Sequence, residues 1–414
     1  MKPQTPAAAL AALALLLATG CTNAAPPQSP PAPAGSASPE GSHGDRPGLA
    51  EAAEPPLHLV AIDAAGQAAM LDLLSGTTSQ PARVQPPDGV TTDGRYVFAA
   101  NSAGVDIFDS GAWTWDHVDH FHYYRAAPRP VGTLAGDGTP TIAGGMLSTA
   151  GTTGVFFPAS GTAILLDNAE LSDGRITEAL RLSVEPHAGI IAPLGDGALV
   201  TEAGNGGTAA RVRAVDASGK QLATAECPAA AGTITTRAGL VIGCADGAVV
   251  ATADGHTPVL HHVPYPEGAA APATSFNGRK GRPTVAGTGS DAGVWLLNTR
   301  RHTWEWLPTS APVLAAATAD DAAGHVVVVA GDGTVQVYDA ANKERVARTE
   351  PLLAATLASP DLADHIHLTV DAQRAYVNAP AEGVVHEIDY ADGARVARTL
   401  SMPTTPVHLV ETGR

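Results

Sequence analysis

Three histidines stand within six positions of WTWDHVDHFHYY, residues 113–124. His117, His120 and His122 are interleaved with Asp116 and Asp119 and flanked by Trp113, Trp115, Tyr123 and Tyr124. Neutral imidazole nitrogens bind zinc at about 2.0–2.1 Å in tetrahedral sites, and a nearby carboxylate can complete the set or fix a ring tautomer from behind. Nitrogen donors favour zinc over calcium. The spacing restricts the geometry. On a helix His117 and His120 share a face without His122, and on a strand His120 and His122 share one without His117. Only a folded loop converges all three. The bland alternative is a polar loop held down by its aromatic rings, with incidental histidines.

A second set is dispersed along the chain. His187 in EPHAGIIAPLGDGALV, His365 and His367 in DHIHLTVDAQ, and His408 in TPVHLVE each fall where a strand-like run begins. Residues two apart on a strand face the same side, so His365 and His367 would point together. Each alone reads as a hydrogen-bonded structural histidine; as a group they form a weaker metal candidate. His261 and His262 are adjacent on an outer-strand pattern and read as structural, and His43 cannot form a site alone. Enzyme signatures such as GxSxG, HExxH or a P-loop are missing, and the GDG, ADG and SDG tripeptides are hairpin turns. A non-enzymatic protein is therefore expected.

The elements that must position these groups are strands. Short apolar runs alternate with Gly, Asp, Asn and Pro turns, and 3.6-residue periodicity is almost absent, so the fold class is all-β. HVVVVAGDGTVQVYDAANKERVARTE (325–350), RAYVNAPAEGVVHEIDYADGARVARTL (374–400) and GALVTEAGNGGTAARVRAVDASGKQLATAE (197–226) share one plan. That plan is a four-stranded unit recurring at roughly 40–48 residues, the pattern of a β-propeller blade. Units begin near 58, 90, 139, 187, 232, 273, 312 and 365, giving eight blades, with seven as the alternative because 139–182 is irregular. PVHLVETG (406–413) reads as an innermost strand that joins the first blade and closes the ring, which removes exposed edges. The histidine-rich stretch falls between the third and fourth strands of the second unit and spans about 112–129, so it is an insertion of the kind that usually carries function.

Residues 1–20 read as an export leader, with Lys2, an apolar run over 7–18, and small residues before Cys21. The pattern before Cys21 is that of a lipoprotein signal, with Cys21 the lipidated residue; an ordinary signal peptide is the alternative. Residues 21–56 are Pro-, Ala- and Ser-rich and read as a disordered tether, leaving 57–414 as one propeller domain. With 24 basic and 41 acidic residues the chain carries a net charge of −17, which argues against a nucleic-acid partner. Cys227 and Cys244 form an even pair in an exported chain and read as a disulfide; zinc-binding thiolates are the minority alternative.

On these residues the sequence resembles the AztD-type zinc metallochaperones, exported β-propellers that pass zinc to the solute-binding protein of a zinc ABC importer. The segments that carry the resemblance are IFDSGAWTWDHVDHFHYY, EPHAGIIAPLGDGALV, AECP with VIGCADGAVV, and RAYVNAPAEGVVHEIDY. The resemblance implies zinc binding by His117, His120 and His122 with Asp119, and by His187. The sequence departs from the family pattern at Ala188 and at Ala229, Ala230 and Ala231, where further histidines are expected. His365, His367 or His408 would have to substitute in the inner site. With the Cys21 leader, the expected protein is a monomer anchored to the cell membrane outside the cytoplasm by a lipid, with Zn2+ as its metal. An interaction scaffold without physiological metal is the rival reading. Because histidine must be neutral to ligate, zinc affinity is expected to fall as pH drops through the imidazole range near ~6.5.

Overall fold

The computed structural model describes residues 49–116, 121–269, 271–289 and 292–414. The leader, Cys21, His43, His117, Asp119 and His120 lie outside the described residues. The described chain belongs to one compact unit beginning at Pro47. Among the described residues no helix is long and apolar enough to cross a membrane.

Valine-rich runs show why these sequences become strands. In His325–Ala330 (HVVVVA) every valine is buried, yet the side chains do not share one environment. Val327 and Val329 pack towards the following sheet with Val377 and Ile388, whereas Val326 and Val328 pack towards the preceding one with Leu296 and Leu307. A strand with period-two side chains that is covered on both faces must be apolar throughout. The GDG turn that follows places Gly333 at φ +80°, a left-handed conformation that disfavours any residue with a Cβ. The chain then returns as Val335–Asp339, pairing His325 with Asp339.

This construction recurs in eight antiparallel four-stranded sheets among the described residues. In chain order, the second to eighth sheets cover 89–135, 141–183, 191–226, 231–264, 275–308, 313–348 and 368–401. The first sheet is composite. His408–Thr412 pairs with His58–Ile62, register Ile62 to His408, and Ala68–Asp72 and Thr78–Ser79 follow outward. The expected joining of the last strand to the first unit is thus present as a pairing.

Eight apolar clusters occupy the spaces between sheets. Val60 and Ile62 pack with Val97 and Phe108 of the second sheet, while Leu59 packs with Tyr376 and Val385 of the eighth. The irregular unit is the third sheet. A short helix, Asn168–Ser172, capped by the Asp167 carboxylate, interrupts it before Glu178–Ser183.

Two expectations change at the edges. Ala50–Ala52, inside the segment expected to be a free tether, is a strand paired with Phe121–Arg125. The insertion is a hairpin of Ala112–Asp116 and Phe121–Arg125, so with Ala50–Ala52 it makes a separate three-stranded sheet. Cys227 and Cys244 form a disulfide between the fourth and fifth sheets, with both residues buried in the cluster those sheets share. This removes the thiolate alternative.

Candidate metal centre

The tightest group of metal-ligating side chains among the described residues is His365, His367 and His408, whose ligand atoms lie within 4.8 Å of one another. Ring centroids are 5.3 Å apart for His365 and His408 and 5.8 Å for His367 and His408. His408 opens its strand and is buried. His365 and His367 are not on a strand, as their spacing suggested. They precede Leu368–Val370, so the strand pleat does not align them.

Asn378 aligns them instead. This residue is fully buried in Ala375–Ala379. Its Oδ1 accepts the backbone N–H of His367 at 2.6 Å. Its amide nitrogen donates to the carbonyls of His365 and Pro406, both at 2.7 Å. One side chain therefore ties the 365–367 turn to the segment entering His408, far away along the chain. Sequence reading missed Asn378; a buried polar residue within the apolar run AYVNA was the available signal.

Two ring nitrogens in the cluster, Nε2 of His367 and Nδ1 of His408, are buried without a hydrogen-bond partner. Leaving such an atom unpaired is unfavourable by about 1–3 kcal/mol. A backbone carbonyl approaches each ring, Val407 at His367 and Pro87 at His408. A ring that donates one N–H to a carbonyl presents its second nitrogen as a lone-pair donor, the arrangement found behind metal-bound histidines. Burial, reinforced by the two neighbouring imidazoles, pushes the pKa of His367 down to about 4. Burial also lowers that of His408, with His365 adding to the effect. Both are thus neutral at pH 7 and chemically fit for zinc.

The other predicted residues are placed differently. His187 does not join this group. Its Nδ1 donates to the Glu185 carbonyl at 2.7 Å, its Nε2 meets the Thr201 hydroxyl at 2.8 Å, and Phe156 packs edge-on against it. Both nitrogens are engaged, as in a structural histidine. His122 lies on the hairpin with its Nδ1 2.7 Å from the Glu51 carboxylate. His262 bonds Asp246, and His261 stacks on His302, in keeping with structural roles.

The hairpin is pinned as its rings suggested. Trp113 is buried against the Arg95 guanidinium, 3.8 Å from the ring centroid, and stacks on Tyr124. Arg95 is held by a bidentate ion pair with Asp109. Arg125 pairs with Asp72 at 2.6 Å, and the Thr114 hydroxyl donates to the Gly413 carbonyl.

No family model matches the chain, and no curated protein sequence matches it. Solved structures do. The crystal structure of Citrobacter koseri AztD is 20% identical over 86% of this chain and 97% of that one, with a TM-score of 0.73, and apo AztD from the same organism gives the same values. Dihydro-haem d1 dehydrogenase NirN in complex with DHE is 15% identical over 87% of this chain and 76% of its own, with a TM-score of 0.53. At such identities the likeness establishes the fold: an all-β, propeller-like architecture of the AztD type.

Proposed function

We propose that this chain is an exported, eight-bladed propeller, closed by the pairing of 408–412 with 58–62, that binds zinc as cargo at His365, His367 and His408. The observation that carries the reading is the convergence of three imidazoles, two with buried, unpartnered ring nitrogens. Three protein ligands leave a fourth position open, as in zinc sites that exchange a ligand, whereas closed four-ligand cages hold the ion structurally. An open position is what handing zinc to a second protein requires.

The acceptor in this reading is the solute-binding protein of a zinc ABC importer, and the chain is held at the membrane by a lipid on Cys21. The likeness to AztD supports this choice, with the sequence resemblance. His117, Asp119, His120 and His122 form a second zinc-binding element on the strength of their spacing in the sequence. His187, with both nitrogens committed, is assigned to structure.

Competitive zinc titration of the soluble domain tests the reading. His365→Ala/His367→Ala/His408→Ala should lose one sub-micromolar site, and His117→Ala/His120→Ala/His122→Ala should leave that site intact. A parent protein that binds no zinc would transfer the case to the scaffold reading. Zinc lost only with the hairpin triple change would remove the inner cluster from it.

A further inference from the structure

The hairpin borders a cavity of about 700 Å³ at the opposite end of the inner strands from the histidine cluster. The strand Leu368–Val370 begins just after His367 and leads to Asp371 and Gln373 in the cavity wall. Likewise His408–Thr412 begins at the cluster and leads to Arg414. Period-two alternation puts Thr114, Asp116, Phe121 and Tyr123 on the hairpin face that lines the cavity, opposite the face of Trp113 and Tyr124.

This wall reverses the charge of the molecule. In a chain of net charge −17, it presents five cationic side chains against Glu54, Asp116 and Asp371. Several of the charges are already answered. Arg237 pairs with Asp116, Arg414 with Glu411, and Arg282 with the Asp320 carbonyl and carboxylate. The Asp371 carboxylate is occupied by the Tyr376 hydroxyl and the N–H groups of Gln373 and Arg374.

Of the other two cations, Lys280 is partly answered and Arg279 is left over. Lys280 Nζ donates to the Asp93 carbonyl at 2.7 Å and to the Arg414 main-chain oxygen at 3.0 Å, and the buried Asp93 carboxylate answers part of its charge. The Arg279 guanidinium has no hydrogen-bond or ion-pair partner among the described residues. Beside them the wall is apolar and unusually open, with Phe121 46% and Leu147 49% exposed.

We propose that this cavity binds an amphiphilic organic anion: a carboxylate or phosphate head on an apolar or aromatic body. The head lies at Arg279, and the body lies on Phe121, Tyr123 and Leu147. The volume is within the usual range for small-molecule pockets, and a few charged groups in an otherwise apolar wall fix a ligand's orientation. A charge-assisted bond to a planar guanidinium discriminates strongly for an anionic head. The site uses none of the inner-cluster histidines and stands or falls apart from zinc binding at His365, His367 and His408.

The test is fluorescence titration of the whole exported domain with anilinonaphthalene sulfonate and with the uncharged dye phenylnaphthylamine. The anionic dye should bind at least about tenfold more tightly. Arg279→Met should weaken it by about 10- to 100-fold, the size of one charge-assisted hydrogen bond, without changing the neutral dye. Phe121→Ala should weaken both dyes. Dodecanoate and dodecyl phosphate are then competed against the bound dye, and the stronger competitor identifies the head group. Equal binding of the two dyes, an unchanged anion affinity in folded Arg279→Met, or displacement by neither amphiphile overturns the proposal.

Discussion

The two ends of the inner strands carry opposite chemistry on the same repeated unit. At one end His365, His367 and His408 converge, with burial lowering the pKa of His367 and His408, an arrangement suited to a cation. At the other, Arg279 and Lys280 lie beside exposed apolar rings, suited to an anion. Neither character comes from the repeat itself. One end is built by a single buried amide, Asn378, that gathers two distant segments. The other is built by an insertion folded into a hairpin and clipped by Ala50–Ala52. A fold made of near-identical sheets acquires distinct sites where the unit is broken, which is why the architecture alone does not specify activity.

The comparison can be broken most severely at the histidine end. Beyond the loss of the inner zinc site in the triple histidine variant, that change should leave anionic-dye binding at the other end unaltered. Loss of both would mean the ends are not separate sites. Cys227→Ser/Cys244→Ser is the next largest perturbation and belongs to neither end. Its 17-residue separation implies a stability loss of about 3 kcal/mol, read from the urea midpoint, with zinc affinity and dye binding retained.

Asn378→Ala sharpens the comparison. Its side chain touches backbone rather than ligand atoms, so it acts by positioning. Zinc affinity should fall by about 10- to 100-fold, as for other groups that orient ligands from behind. Stability should fall by about 1–3 kcal/mol because buried partners lose their bonds. A stability loss with unchanged zinc affinity would show that the histidines align without it.

The smallest effect lies at the cationic end. Burial pushes the pKa of Lys280 down from 10.5 to about 8, against the opposing pull of Asp93. The unfolded chain then binds more protons than the folded one between those values, so stability should rise with pH across that window. The unfavourable charge is fully present below about pH 8. A gain of order 1 kcal/mol, absent in Lys280→Met, is expected from urea midpoints at pH 8 and 10. A flat profile would mean that the ammonium remains well solvated and that this end is less sequestered than its geometry indicates.

Much of the fold was legible because its causes are local. Turn residues, paired apolar runs and a recurring unit are written in consecutive positions, and so is the strand-like run 406–413 that has no unit after it. Even the irregularity of 139–182 had a local cause, the helix Asn168–Ser172 inserted into an otherwise regular sheet. The sites were legible only as residue types. His187 and His367 looked alike in sequence, each a histidine near the start of a strand-like run. The structure separates them by what surrounds the ring: Glu185 and Thr201 occupy both nitrogens of His187, whereas Nε2 of His367 is buried and unpaired.

The sequence by itself determined the all-β class, the repeated unit, the pairing of the last strand with the first unit, the cysteine pair and the presence of an insertion among the strands. Tertiary structure decided which histidines meet, because convergence depends on where the ends of different strands fall. It also decided that Asn378 holds them, and that five cations of an acidic chain gather under a hairpin. Those outcomes rest on contacts between residues tens to hundreds of positions apart, which no local pattern records.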